Sequence, residues 1–469
     1  MSRNVVLLIL DTARKDYFEE YAPRLQSMSD VSFSNCRAAS SCSVPSHASI
    51  LTGDLPYQHG LHSESVDYTS IDDDDTFFAA VPDHEALGVS ANTFAGSSFG
   101  FDSHFDFFRD VSWTRRFPDG LDVREYQNEV DGSGIGFYLG YLRACLGHDA
   151  PIKSLMNGGL AQLDLLSAKS PFPKLFDDGS SSVLKQTDKL IGTEQEPFVL
   201  FLNLMDIHTP HHHVRSYDKS IHGVSSSWTT IDQIDLWDVN LNPDERDETA
   251  VENFRKLYAA AIDYLDRRVA SFVTDLLEST DRETTVVITA DHGENLGFDA
   301  EDRLMGHSNG LSEALLHVPL EIINPPQGYG AVESAYFSQL QLGELLAGLA
   351  AGETPAVFTE TPVAERITTS GVPDRADDKS FWRRTIRCIY EDGRKIVWDS
   401  LGRTMTYRLD PDRPCWQESV AEGEYIPDYD RTHFDLNIET THERLVDGSS
   451  SLEDVDAATK ARLEELGYL

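Results

Sequence analysis

Val5-Val6-Leu7-Leu8-Ile9-Leu10-Asp11-Thr12 is the stretch on which the fold turns. An unbroken aliphatic run of strand length fits a β-strand buried on both faces, the situation of a strand covered by helices on either side. The run is far too short to cross a membrane and has no small-residue cleavage site after it. It passes straight into Asp11, so it is predicted to be the first strand of the mature fold. Three further runs share its length and composition: Phe198 to Leu204, Thr285 to Ala290 and Val318 to Ile323. Another strand is predicted through Ala86 to Ser90. Between the runs lie helical patterns, clearest from Phe254 to Leu277, where Leu257, Ala261, Leu265, Val269, Phe272 and Leu276 recur at spacings of three and four. Strands alternating with helices predict an α/β fold with a mostly parallel sheet flanked by helices.

The pattern weakens from about 103 to 192, where Gly, Ser and Pro cluster, and this stretch is expected to be a variable insertion of helices and loops. After Gly352 it changes character. Arg387 to Trp398 and Thr404 to Leu409 flank Asp399-Ser400-Leu401-Gly402 and read as a hairpin of an antiparallel sheet. Residues 1–352 are therefore expected to form the main domain and 353–469 a small C-terminal α+β subdomain. A charged amphipathic helix is predicted for Leu452 to Leu469, with Leu463 and Leu466 as docking residues behind a Gly448-Ser449-Ser450-Ser451 linker.

Composition narrows the function classes. Among 469 residues, 79 are acidic and 39 basic, giving a formal net charge of -40. Such a surface repels nucleic acid and anionic membranes. The excess is spread along the whole chain, which suggests adaptation to high salt, where screening weakens self-repulsion. Five cysteines, Cys36, Cys42, Cys145, Cys388 and Cys415, form neither a CxxC pair nor an even disulfide framework. A reducing, cytoplasmic location is the simpler inference.

In open α/β sheets ligands gather beyond the carboxyl ends of strands, so polar residues that directly follow apolar runs carry extra weight. The first run delivers Asp11-Thr12, the second Asp206-Ile207-His208, the third Asp291-His292-Gly293-Glu294. A hydroxyl is offered by Ser43-Val44-Pro45-Ser46-His47, where Pro45 suits the first turn of a helix and Ser43 would lie beside unpaired backbone donors and the positive end of the helix dipole. The competing reading of Ser43 is an ordinary helix cap. Two carboxylates, an imidazole and a hydroxyl can ligate one divalent ion, which would lower the pKa of that hydroxyl. His292 leans toward Mn or Zn, whereas an all-oxygen site leans toward Ca or Mg.

At these residues the chain resembles the sulfatase family of the alkaline-phosphatase-like superfamily. The resemblance runs through Asn4 to Asp16, Ser43 to Gly53 with Pro56 and His59-Gly60, Asn203 to Pro210, Tyr258 to Asp266, Asp291 to Glu294, Gly306-His307, Glu313 and Val318-Pro319-Leu320. It implies the alkaline-phosphatase-like fold with a small C-terminal subdomain. It further implies Asp11, Ser43, Asp291 and His292 as metal ligands, Ser43 as the attacking group, and His208 and His307 as contacts to the sulfuryl or phosphoryl oxygens. Family sulfatases carry Cys or Ser followed by x-Pro-x-Arg and oxidise that first residue to formylglycine. Here His47 replaces the Arg, and Thr12 stands where a second metal-binding Asp is usual. Asp206, His208 and His307 offer an alternative, a second ion, although Pro210 occupies the position where two-metal members carry His.

The expected reaction is attack of Ser43, or of a formylglycine derived from it, on sulfur or phosphorus, with His47 and the ion offsetting oxygen charge. His208 or His307 would protonate the leaving alcohol. Arg14 and Lys15 can help hold the anion, or can simply pair with Asp16 or Glu19. His211, His212 and His213 line the mouth or form a solvated loop, the latter preferred for two of the three. The substrate is expected to be an anionic sulfate ester, a carbohydrate ester among the candidates. Plain Ser has no elimination route from a covalent sulfate, so an unmodified Ser43 points instead to phosphate esters. A transferase acting on a glycan and a noncatalytic binding protein are the rival readings.

Overall fold

The computed structural model describes residues 2–446 apart from 113–114, 118, 124–125, 127–129, 131–134, 169–171, 193–196 and 308–309. Its centre is an eight-stranded sheet in which β1 (Asn4–Leu10) lies between β5 (Phe198–Leu204) and β6 (Thr284–Thr289), parallel to both. All seven residues of β1 and all seven of β5 are buried, the reason both appear in the sequence as unbroken apolar runs. Beyond β5 follow β3 (Glu85–Ser90) and β4 (Phe107–Asp110), again parallel. Beyond β6 follow β9 (Leu320–Ile323), β2 (Val31–Arg37) and β10 (Val332–Ser338), while β7 (Asn295–Leu296) and β8 (Met305–Gly306) form a separate short ladder. Of these, β9 runs antiparallel to both β6 and β2, so the predicted strand at Val318 to Ile323 exists but reverses the sheet's direction.

The long helix spans Glu248–Ser279, starting six residues before the predicted apolar face because the Asp247 carboxylate caps it by accepting from Thr249 N at 2.8 Å. Every residue of the predicted stripe, from Leu257 to Leu276, is buried. The stretch 103–192 is tied to the main sheet at both ends. At one end β4 pairs with β3, and at the other helix Ser180–Ile191 packs on β3 and β5. Phe107-Phe108-Arg109-Asp110 is a short, only partly buried edge strand of four residues, which is why no run marked it.

The C-terminal sheet is antiparallel throughout, in the order β11 (Val363–Arg366), β12 (Ile386–Glu391), β13 (Arg394–Asp399), β14 (Arg403–Leu409) and β15 (Gln417–Glu424). The predicted turn after Asp399 joins β13 to β14. The single strand expected from Arg387 to Trp398 is in fact two, folded at Asp392-Gly393, where φ is 49° and 71°. Positive φ at both central residues is the tight hairpin geometry that an Asp-Gly pair favours. The helix expected at 452–469 and its linker at 448–451 lie outside the described residues.

Glu313 fastens this sheet to the main domain. Its carboxylate meets Arg37 Nη2 at 3.0 Å from the main sheet and Lys395 Nζ at 3.1 Å from β13, and it accepts from Tyr390 Oη of β12 at 2.5 Å. Burial opposes the charge, yet Arg37 and Lys395 outweigh it and pull the Glu313 carboxyl down to about 2. Burial lowers Lys395 as well and offsets part of the gain, but Glu313 faces two cations and its direction stands. A folded pKa below the unfolded one means stability that is complete above pH 4.5 or so and is lost as pH falls toward 2, about 3 kcal/mol in all. Glu313→Gln is therefore expected to lose about 3–5 kcal/mol at neutral pH, because two buried cations lose their counter-charge. Denaturant titrations across pH should also show a shallower acid loss for the variant; matching wild-type and variant profiles would remove this role.

Candidate active site

Ser43 is the first residue of helix Ser43–Thr52, with Cys42 as the extended residue before it and Pro45 in the first turn. The cap reading of Ser43 is not borne out, since no side chain caps this helix. Ser43 Oγ instead lies 3.4 Å from His292 Nε2. The ring of His292 is set by its other nitrogen, Nδ1–H, which donates to Gly293 O at 2.8 Å and so leaves the Nε2 lone pair facing Ser43.

Asp11 and Asp291 stand at the ends of the central strands β1 and β6, both wholly buried. Asp11 Oδ2 accepts from Asn92 Nδ2 at 2.7 Å and Asn203 Nδ2 at 3.4 Å, while Oδ1 has no hydrogen-bond partner. Asp291 Oδ1 accepts from the backbone N–H of His292 at 3.0 Å and of Thr12 at 3.4 Å, while its Oδ2 is likewise unpartnered. Donor atoms of Asp11, Asp291 and His292 lie within 4.8 Å of one another. Burial, then the Asp291 charge, push the Asp11 carboxyl well above the usual range. Burial opposes the Asp291 charge too, but His292 and His47 alongside hold it below that range. Two buried carboxylates, each with one oxygen left bare and both facing an imidazole lone pair, fit a divalent cation: charge, donor type and convergence all agree.

The other expected site residues divide. His47 is in the site but turned inward. Its Nδ1–H donates to Ser43 O at 2.7 Å, its Nε2 accepts from Asn203 at 3.1 Å, and its ring lies edge-on to Phe101 and Phe201. Burial lowers its pKa, so it is neutral, with both nitrogens engaged, and it cannot offset substrate charge as expected. His307 and His208 meet with ring centroids 5.0 Å apart, and His307 lies 4.6 Å from His292. Burial lowers His208, and burial together with the Arg366 charge lowers His307, to about 3.

Asp206 is not there. Its carboxylate accepts from Ser180 Oγ and from Asp178 N, so it serves the loop before helix Ser180–Ile191, and among the described residues the set expected to hold a second ion with His208 and His307 does not form. Arg14 is sequestered by Asp16 at 2.7 Å and Glu301 at 2.5 Å, and Lys15 by Glu321 at 3.3 Å, so neither is available to an anion. Thr12 turns its hydroxyl onto Asp11 O at 2.6 Å and contributes only its N–H. The solvated-loop reading of the histidine triplet also fails: His211, His212 and His213 are all buried, His211 edge-on to Phe254 of the long helix at 4.8 Å.

Several functional residues went unread. Asn92 and Asn203 orient Asp11 and His47, but lone amides, one in β5 and one just past β3, carry no motif. Glu294, wholly buried and pushed up by burial to about 8, lies with its carboxyl oxygens 3.2 and 3.3 Å from His307 Nδ1. Its place two residues after His292 was the available signal.

A sheet of this topology with acidic and imidazole donors beyond its central strands, facing a hydroxyl on a helix start, places the chain among the alkaline-phosphatase-like hydrolases. Within that class the chain belongs to the sulfatase family, whose model, described as Sulfatase, matches residues 3–352. Solved structures agree in fold. A phosphonate monoester hydrolase of Agrobacterium radiobacter superposes with a TM-score of 0.60 at 14% identity, covering 88% of this chain and 90% of its own. A 2-O GAG sulfatase does so at 0.57 and 14%, covering 96% and 92%. A structure in complex with its substrate D-glucosamine-2-N,6-O-disulfate scores 0.52 at 12%, covering 97% and 100%. No curated protein sequence matches the chain.

Proposed function

We propose that the chain is a metal-dependent hydrolase of sulfate esters in which Ser43, or a formylglycine derived from it, is the attacking group. The observation that carries this reading is Ser43 Oγ, uncapped and 3.4 Å from His292 Nε2, beside the bare oxygens of Asp11 and Asp291. Asp11, Ser43, Asp291 and His292 would hold one divalent cation (Mn, Zn, Ca or Mg), which when bound lowers the pKa of the hydroxyl and offsets charge on the ester. The helix start beneath Ser43 adds unpaired N–H groups and a positive dipole end for the anion. His47 works from behind, fixing the Ser43 carbonyl and Asn203.

The leaving alcohol needs a proton, and the two histidines differ in whether they have one to give. His208 donates Nδ1–H to Thr209 O at 2.5 Å, which leaves its Nε2 an acceptor while the ring is neutral. Glu294, kept protonated by burial, can donate to His307 Nδ1 and so place the ring proton of His307 on Nε2. His307 is the better acid on these grounds, with Glu294 behind it as the proton reserve. The sulfated sugar in one related structure makes carbohydrate sulfates the first substrate class to assay. The dispersed acid surplus and five free, buried cysteines support work in a salty, reducing cytoplasm. Among the described residues no helix is long and apolar enough to cross a membrane.

One observation favours a second reading. Because His47 is spent on Ser43 O and Asn203, the fifth position of the maturation motif offers no cation, and an unmodified Ser43 would form a stable ester with sulfate but a hydrolysable one with phosphate. Mass spectrometry of the peptide containing Ser43 separates the two. The sulfate reading expects a mass lower by two hydrogens together with turnover of aryl sulfates. An intact Ser43 together with turnover of phosphate or phosphonate esters alone would overturn it in favour of phosphoester chemistry.

A further inference from the structure

Among the described residues seven lysines and arginines are buried, and six of them rest on carboxylates: Arg14 on Glu301, Lys15 on Glu321, Arg37 and Lys395 on Glu313, Lys174 on Asp178, and Arg387 on Glu365. Arg366, the last residue of β11, is the exception. It is 2% exposed, and all of its partners are neutral oxygens. Nε and Nη2 donate to Thr369 Oγ1 at 3.2 and 3.0 Å, and Nη1 donates to Ser41 Oγ at 3.0 Å and His307 O at 3.1 Å. A guanidinium does not give up its proton, and burying one without a counter-charge is strongly unfavourable. With 79 acidic residues against 39 basic, the chain does not lack carboxylates to spend on it.

The place of Arg366 explains the omission. Its two Nη1 bonds end on Ser41, two residues before Ser43, and on the main chain of His307, so the charge sits at the rim of the site from the side of the C-terminal sheet. Among the described residues Arg14 and Lys15 are already neutralised by carboxylates, and His47, one turn along the helix from Ser43, is uncharged. A carboxylate on Arg366 would cancel a positive charge that, beside the helix start under Ser43, can meet an incoming anion. Among the described residues its four hydrogen bonds engage four of the five guanidinium N–H groups.

We propose that Arg366 is a positioning residue for the anionic head of the ester, its uncompensated charge drawing the sulfuryl or phosphoryl group to Ser43 while its fork holds Ser41 and His307 in register. This rests on the reading of Ser43 as the attacking group of an ester hydrolase. The missing counter-charge is thus the substrate's own.

The test compares wild type, Arg366→Gln and Arg366→Lys, each loaded with a divalent cation, by the rise in Tm on adding inorganic phosphate or sulfate and by steady-state turnover of aryl esters. Gln keeps an amide donor for Ser41 or Thr369 but removes the charge. The expected result is that Gln loses the anion-induced rise and about 100-fold in kcat/KM, mostly through KM, the scale of one lost hydrogen bond to a charged group. Lys should retain part of both, guanidinium ion should restore part of the turnover of Gln, and the Tm of Gln without anion should match or exceed wild type. The proposal is overturned if Gln keeps the anion-induced rise and its KM. It is equally overturned if Gln and Lys fall together with a lowered Tm and no guanidinium rescue, the mark of a merely structural arginine. Should Ser43→Ala remain active, the reading of the reaction fails, but the anion-induced rise still decides the role of Arg366.

Discussion

Ser43→Ala is expected to lower kcat/KM by about a thousandfold or more, the scale on which enzymes lose an attacking hydroxyl. The fold should be unaffected. Ser43 Oγ caps no helix, and its hydrogen-bond contact is the 3.4 Å approach to His292 Nε2, while the helix is held by its backbone and by the left-handed Gly53 that closes it. Circular dichroism and Tm equal to wild type, with turnover lost on whichever ester class wild type accepts, is the outcome to look for. Undiminished turnover would remove Ser43 from the role of attacking group and leave the two carboxylates to activate water instead.

Asp11→Asn should act with opposite sign on stability and on activity. Burial raises the Asp11 carboxyl pKa, so its ionised form weighs against the ion-free fold once pH rises above the unfolded value of 3.8. An amide relieves that strain, and the ion-free variant should melt higher than ion-free wild type. Wild type, in turn, should gain about 3 kcal/mol when the cation reaches a hundredfold over its Kd, a gain the variant lacks. The geometry says why the amide does not substitute as a ligand: Asn92 and Asn203 present N–H groups to Oδ2, so the side-chain oxygen of Asn turns to them and its NH₂ faces the cation. Melting curves with Mn, Zn, Ca and Mg added after chelation make the comparison. If none of the four shifts wild type, the site is not a cation site.

What the sequence made legible follows from burial. Strands enclosed on both faces, β1 and β5 above all, announce themselves as apolar runs with sharp ends, and the polar residues at those ends include the metal-ligand candidates. Elements that bury one face or none do not: β2 interleaves Ser32, Ser34 and Asn35 with its apolar residues, and β10 is largely exposed. Strand direction is invisible in such runs, so β9 gave no sign of reversal. Within the site, Asp11, Asp291 and His292 lie together, with Ser43 beside His292. Asp206 was misplaced because the end of a strand is also where loops are anchored, and Ser180 and Asp178 claimed its oxygens. Asn92, Asn203 and Arg366 went unread for a simpler reason: each is a lone residue far along the chain from the site groups it bonds.

The docking of the C-terminal sheet through Glu313 has a consequence in time. On the ribosome, the residues that would form the ester-cleaving centre, Asp11 through His307, emerge before Lys395 of β13 exists. Until β12 and β13 arrive, Glu313 lacks both Tyr390 and Lys395, and the β11 strand that contacts Ser41 and His307 has no neighbour to pair with. A nascent chain would thus carry Ser43, the proposed attacking group, while its surroundings are still unassembled. Activity would appear late and abruptly in synthesis, when the last sheet closes over a centre made long before.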